Sequence, residues 1–340
     1  MLNKKIYIYP ITSRGIDISL NPYIGNLINC LESNYSIVNK NNPSKSGIFQ
    51  IIKYLRKSDI FFFNWVENLP DKKGGTFQTI LLFMLICIMK LLGKKVIWTM
   101  HNKISHSKQN YFLKKQIFKL LIRNANLILT HSSEGVTYAK TFEFKKNIPI
   151  KYLPHPIGSI SVLSATEQTK IYDFVIWGAM IPYKGIHSFL EYLIDSKIEN
   201  NYHILIIGKF SSADYYNQVV NLAGTHTVVE DRFASMAELN VLINKSRFVL
   251  FTYSNNSVLS SGALMDTVGF CANIIGPNTG AFSDLNANGI IQTYNSFSDI
   301  IKMHKEFDKQ SIDTDKRLNF IKENNWNTFG NNLNINIKNL

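Results

Sequence analysis

Cysteine is scarce in this sequence: Cys30, Cys87 and Cys271 are the three among 340 residues. They are too few and too scattered for a disulfide framework or a metal site, and a reducing cytoplasm suits them. The glycine-rich phosphate motifs are missing too. No G-x-G-x-x-G follows the first strand pattern and no Walker loop occurs. There is also no G-x-S-x-G elbow and no H-E-x-x-H pair. No D-x-D stands at a strand end, so no metal cofactor is expected. A membrane span is lacking as well. The most apolar run, FQTILLFMLICIM (Phe77 to Met89), continues as KLLG but is closed by Lys90, short of the roughly 20 residues a span needs. It reads as a buried helix or an interfacial one. The N-terminus, MLNKKIYIYPITSRG, has no small-residue cleavage site and alternates like a first strand rather than a signal peptide. No solenoid-type repeat is found.

Acid is short in one half only. Residues 1–150 hold 22 Lys and Arg against 7 Asp and Glu, a balance of +15, and the remainder is near neutral at −2. The whole chain carries +13 with a pI near 9.4, which calls for an anionic partner: nucleic acid, anionic lipid or a phosphorylated substrate. The uneven split points to two domains with different partners. The length suggests two domains of about 150 residues each, and 45% apolar content can fill two cores.

Strand-length apolar runs alternate with helical stretches through the chain. KIYIYP, DIFFFNW, KVIWTMH, NLILTHS and IKYLPHP lie in the first half; YDFVIWG, YHILIIG, THTVVED, RFVLFTY and ANIIGP lie in the second. Near-continuous apolar strands are those of parallel sheets covered on both faces. Helices are expected over 47–56, 76–92, 110–123, 186–196, 236–245 and 262–268. The pattern predicts an α/β chain of two doubly wound domains, over 1–157 and 171–310, joined through the polar stretch Gly158 to Lys170. A helix or tail follows over 311–340, and its Asn-rich part after Trp326 receives no assignment.

Two segments of the second half can carry chemistry. In FVIWGAMIPYKGIHSFLEYL a buried strand ends at Gly178, and Lys184 precedes a helix. A lysine at the carboxyl end of such a strand either neutralises a phosphate or is a solvated helix-start residue. In YSNNSVLSSGALMDTVGFCANIIGP, Ser260, Ser261 and Gly262 open an apolar helix. Its N-terminus is either an anion site or a plain serine cap. Asp266, one turn on, either accepts from ribose hydroxyls or is an ordinary helix residue.

Taken in order, GKKVIWTMHN, NANLILTHSSEG, YLPHPI, FVIWGAMIPYKGI, HILIIGK, DRFASMAELNVLINKSRFVLFTY and SVLSSGALMDTVGFCANIIGPNTG resemble the GT-B glycosyltransferases, family 4 in particular. The resemblance implies two Rossmann-like domains, with a nucleotide-sugar donor site in the second, an acceptor site in the first and catalysis in the cleft. It implies that Lys184 contacts the donor diphosphate and that Lys209 and Arg232 face the donor. It also implies that Ser260, Ser261 and Gly262 form the phosphate loop, with Gly178 and Asp266 completing the donor set. Asp266 falls at the second acid of an E-x7-E pair, whose first position is here Val258; Ile181 stands near a usual basic position. On the acceptor side His101 ends a strand, with His131 and His155 at similar strand ends and Glu67 after FFFNW. With an ordinary pKa near 6.5, His101 can transfer a proton. An inverting reaction requires a base in the first domain, either Glu67 or His101; a retaining one does not. The catalytic expectations are thus His101, Glu67 and Lys184.

The basic first half holds KYLRK, DKKGG, KLLGKK and HSKQNYFLKKQIFKLLIR, the last (106–123) basic and apolar at helical spacing. Such a surface suits anionic membrane. No nucleic-acid motif accompanies the charge. The expected protein is a cytoplasmic enzyme at the inner face of the plasma membrane, moving a sugar to a lipid-linked saccharide in surface polysaccharide synthesis. The alternative is a degenerate glycan- or nucleotide-sugar-binding relative; an NAD oxidoreductase is disfavoured by the missing glycines.

Overall fold

The computed structural model describes residues 4–11, 22–44, 46–103, 109–142, 148–158, 169–253, 258–307 and 313–340. The chain forms two compact units. Unit 1 is Met1–Pro156 with Asn324–Leu340, and unit 2 is Ile157–Glu323. Most of the expected joint, residues 159–168, lies outside the described residues.

Unit 1 runs β1 (Lys5–Tyr9), α1 (Pro22–Glu32), β2 (Ser36–Ile37), α2 (Gln50–Tyr54) and β3 (Ile60–Asn64). It continues through α3 (Gly75–Leu91), β4 (Lys95–Met100), α4 (Tyr111–Asn124), β5 (Leu127–Thr130), α5 (Ser133–Lys140) and β6 (Ile150–Tyr152). The six strands form one parallel sheet in the order β2-β1-β3-β4-β5-β6. Every residue of β3 is buried, as expected of a strand covered on both faces.

Unit 2 repeats the plan with β7 (Tyr172–Trp177), α6 (Ile186–Asp195), β8 (Ile204–Ile207), α7 (Ala213–Asn221), β9 (Thr227–Glu230) and α8 (Met236–Asn244). Then come β10 (Ser246–Leu250), α9 (Gly262–Gly269), β11 (Ile274–Pro277), α10 (Gly280–Ala287), β12 (Gln292–Tyr294), α11 (Phe297–Lys305) and α12 (Thr314–Glu323). Its parallel sheet has the order β12-β11-β10-β7-β8-β9. Strand order reverses between β7 and β10, so the loops leaving those two strands flank a switch-point crevice, the usual ligand position in open α/β sheets.

All ten strand-length runs read from the sequence are strands. The short β2 and β12 were not legible as such, being too brief to show a pattern. The Asn-rich tail, which shows no pattern of its own, is α13 (Trp326–Lys338) and belongs to unit 1. Asparagine is a poor helix former, so this helix depends on packing. Phe329, Leu333 and Ile337 bury against Leu27, Ile28 and Leu31 of α1 in the unit 1 core. Gly330 sets the approach: a Cβ there would stand 2.8 Å from the Cys30 Cβ. Gly330→Val should therefore destabilise the protein by about 1–3 kcal/mol through overpacking, and an unchanged denaturant midpoint would contradict that seating. Among the described residues no helix is long and apolar enough to cross a membrane.

Candidate active site

In unit 2 three elements converge on Gly178. This residue follows β7 with φ +103, a conformation side chains rarely adopt. A Cβ built on it would meet Lys184 Nζ at 3.1 Å and the Ala263 Cβ at 3.9 Å. Lys184 closes a 3-10 turn, Pro182–Lys184, that ends at Gly185 in the left-handed conformation. Its backbone is pinned by Thr252, whose Oγ1 donates to the Lys184 carbonyl at 2.6 Å. Its ammonium lies 5.3 Å from the Tyr253 ring centroid.

The side chain of Lys184 is 5% exposed, and burial pushes its pKa down to about 8. No carboxylate among the described residues pairs with it. Opposite, Ser261 caps α9 by accepting from the Leu264 N–H at 3.3 Å, and its hydroxyl meets the Tyr253 hydroxyl at 3.2 Å. The first helical amides, Gly262 and Ala263, have no acceptor within the helix. A lone ammonium beside a helix N-terminus with no side chain on Gly178 or Gly262 is a cradle for an anion.

The other expected donor residues are placed differently. Ser260 lies beside the cap without being the cap. Asp266 is half-buried in α9 with its pKa raised to about 6 by burial. Val258 is buried. Lys209 is exposed and paired with Asp231 at 2.9 Å. Arg232 is exposed and forked between Glu230 and Glu238 at 2.7 and 2.6 Å. Lys209 and Arg232 therefore already hold carboxylates, unlike Lys184. Sequence reasoning missed Thr252 and Tyr253; the strand end RFVLFTY was the signal available for both.

In unit 1 the ends of β3 to β6 gather polar rings around Tyr23 of α1. His101 stacks on Trp65 with centroids 4.3 Å apart, and Tyr23 stands edge-on to it at 5.0 Å. Tyr23 also contacts His131, His155 and Trp326. The tautomers follow from the partners. His131 Nδ1 faces the Leu153 carbonyl at 2.8 Å and must donate, so its Nε2 accepts from the Tyr23 hydroxyl at 3.0 Å. Asn64 donates its Nδ2 to the Tyr9 carbonyl at 3.4 Å, which turns its Oδ1 to His101 Nε2 at 3.2 Å. The lone pair of neutral His101 is then on Nδ1.

The sequence brought the three histidines to strand ends; Tyr23, Trp65 and Trp326, which tie them together, it did not single out. The ordinary pKa expected of His101 does not hold. Burial first, then His131 and His155, drive it well below 6.5, so the ring is a neutral acceptor. Burial likewise lowers His131 to about 3 and His155 to about 4.

Glu67 sits in a 3-10 turn, Val66–Asp71, opened by Trp65 in the left-handed conformation. It is 0% exposed and neither carboxylate oxygen makes a full hydrogen bond. Burial raises its pKa to about 7, against a smaller opposing pull from its own backbone N–H and the Trp98 indole. It faces the interior rather than a surface where substrate can reach it. The folded state holds this proton between pH 4.5 and 7 while the unfolded chain releases it, so stability falls as pH rises through that window. Glu67→Gln should match the wild type at pH 4 and exceed it by about 3 kcal/mol at pH 8. Equal unfolding midpoints at pH 8 would show the carboxylate to be solvated.

No family model and no curated protein matches the sequence. Solved structures do match over nearly the whole chain. Anabaena Alr3699/HepE in complex with UDP and glucose is 13% identical, covering 99% of this chain and 100% of that one with a TM-score of 0.65. The lipopolysaccharide outer core galactosyltransferase WaaB in its apo form is 12% identical, covering 99% of both chains with a TM-score of 0.67. The N-terminal domain of Candida albicans trehalose-6-phosphate phosphatase is 9% identical, covering 99% and 97% with a TM-score of 0.66. Identities this low speak for architecture alone. With two six-stranded parallel sheets flanked by helices, the chain has the GT-B fold of HepE and WaaB.

Proposed function

We propose that the protein is a glycosyltransferase that takes its sugar from a nucleotide-sugar held by unit 2. The observation that carries this is the buried, unpaired Lys184 ammonium beside the N-terminus of α9. Breaking the bond from the anomeric carbon to a nucleoside diphosphate builds charge on the leaving oxygens. Lys184 and the Gly262 and Ala263 amides are the groups that meet it. Charge supplied by the protein predicts transfer that persists in EDTA. HepE, of the same fold, was crystallised with UDP and with UDP-glucose, which favours a uridine diphosphate donor. A thermal-shift screen with UDP, GDP and CDP tests the reading; a response to none of them overturns it.

The acceptor belongs to unit 1, where the free Nδ1 of His101 can accept from a sugar hydroxyl. The acceptor we propose is a lipid-linked saccharide at the cytoplasmic face of the plasma membrane, in surface polysaccharide synthesis. Unit 1 supports this with 24 Lys and Arg against 7 Asp and Glu. A second reading, a nucleotide-sugar-binding relative without transfer, is favoured by Val258 where the first acid of a pair would stand. Donor turnover lost in His101→Ala, with UDP binding intact, would exclude it.

A further inference from the structure

Helix α3 is apolar on every side, yet only one side is covered. Thr79, Leu82, Leu85, Ile86 and Met89 are buried. The opposite face carries Phe77 (59% exposed), Ile80 (54%), Met84, Ile88 and Leu91 (86%). Positions 77, 80, 84, 88 and 91 follow the helical repeat, so they form one continuous stripe. The run was expected to be buried or interfacial; one face is buried and the other is exposed. A helix apolar all round is normally enclosed on all sides, and an exposed stripe of this size marks an interaction surface.

The neighbours extend the stripe. Phe49 stacks on Phe77 at 5.8 Å. The start of α4 lies at the same end of α3: Asn110 donates to the Pro70 carbonyl at 3.0 Å, and a Cβ on Gly75 would strike that carbonyl. There α4 exposes Tyr111 and Phe112 (69%). Of the basic residues in 106–123, residues 106–108 lie outside the described residues and Lys114 points inward to Asp71. Lys115 and Arg123 remain exposed.

The charge around the stripe selects its partner. Residues 72–133 contain eleven Lys and Arg and no Asp or Glu. Lys73 and Lys90, before the first turn and in the last turn of α3, are both exposed. A second copy docking through this face would set one basic rim against another, whereas an anionic bilayer meets both the apolar stripe and its rim. At 1.5 Å per residue α3 is about 25 Å long, and one of its faces is committed to the core. At a bilayer such a helix can lie along the surface but cannot cross it.

We propose that the exposed face of α3, with the first turn of α4, inserts into the headgroup–acyl boundary of an anionic bilayer, the helix lying in the membrane plane. This deepens the membrane part of the proposed function by naming the surface, and it stands apart from the donor chemistry. The test is co-sedimentation of the full chain with vesicles of phosphatidylcholine alone or mixed with phosphatidylglycerol. The wild type should partition onto the anionic vesicles and weaken with salt. Ile80→Gln with Met84→Gln should cost about tenfold per residue, while Ile335→Gln, an exposed residue of α13, should cost nothing.

Cys87, the exposed cysteine of α3, takes a polarity-sensitive thiol label whose emission should shift to the blue on anionic vesicles. Unchanged partitioning of the double variant, or a label that stays in water, overturns the proposal even if the chain binds vesicles. A concentration-dependent dimer that the double variant splits also overturns it, by giving the face to a second copy. A UDP thermal shift kept in every variant separates these failures from failure of the donor reading.

Discussion

Replacing Lys184 with methionine should stabilise the free protein and weaken its binding of nucleoside diphosphates in the same variant. Among the described residues no carboxylate pairs with the buried ammonium, and its pKa lies near 8 instead of 10.5 because burial penalises the charged form. Between pH 8 and 10.5 the folded state holds fewer protons than the unfolded chain, so stability rises with pH across that window. Below pH 8 both states are charged, and the folded one bears the whole cost, about 3 kcal/mol. Methionine fills the buried space beside Tyr253 without the charge, and a gain of roughly 3–10 °C in melting temperature at pH 7 follows. In the proposed function Lys184 pairs with the donor diphosphate, and losing that charged contact should weaken UDP binding about 10- to 100-fold.

The same argument sets a pH signature. Binding restores the lysine proton, so calorimetry above pH 8 should record proton uptake and a falling affinity. A methionine variant that melts with the wild type and still responds to UDP would remove Lys184 from the donor site.

Acid should open unit 1 by way of its three histidines. His131 and His155 titrate near 3 and 4 in the folded state, held down mainly by burial, with His155 adding its repulsion at His131. The unfolded chain takes up these protons near pH 6.5. Stability present at neutral pH is therefore lost as pH falls below 6.5, by about 3 kcal/mol for His155 alone. The losses from the three rings do not simply add, because each charge raises the cost of the next. Trp65 and Trp326 stand in the cluster, so tryptophan emission should change with the uptake of two or more protons. His155→Asn keeps a donor for the Pro156 carbonyl and removes one proton, and should move the acid midpoint down. A midpoint unmoved by that substitution would mean that the rings are already hydrated at pH 7.

The strands were legible because burial on both faces leaves runs such as IFFFN with almost no polar residue. Lys184, Gly178 and Ser261 were legible because a strand end, a glycine and a cap each leave a local mark. Lys209 and Arg232 look equally basic in sequence. What separates them from Lys184 is Asp231, Glu230 and Glu238 within ion-pair distance, which only the folded chain brings there. Glu67 follows a strand as His101 does, but its 3-10 turn carries the carboxylate inward. The helix α13 was not legible because its apolar residues are diluted by asparagine and its stability comes from α1, some three hundred residues away in sequence.

That last helix has a consequence for how the protein is made. Unit 2 is an insertion between two parts of unit 1, so unit 1 starts to leave the ribosome before unit 2 and is completed after it. At roughly 5–20 residues per second, its α1 face waits on the order of 10 s or more for α13 to arrive. During synthesis that face, Leu27, Ile28 and Leu31, is a place where a chaperone or an unrelated chain can bind. Expressing residues 1–156 alone would make this condition permanent, whereas a circular permutant that fuses α13 ahead of β1 would end it from the start.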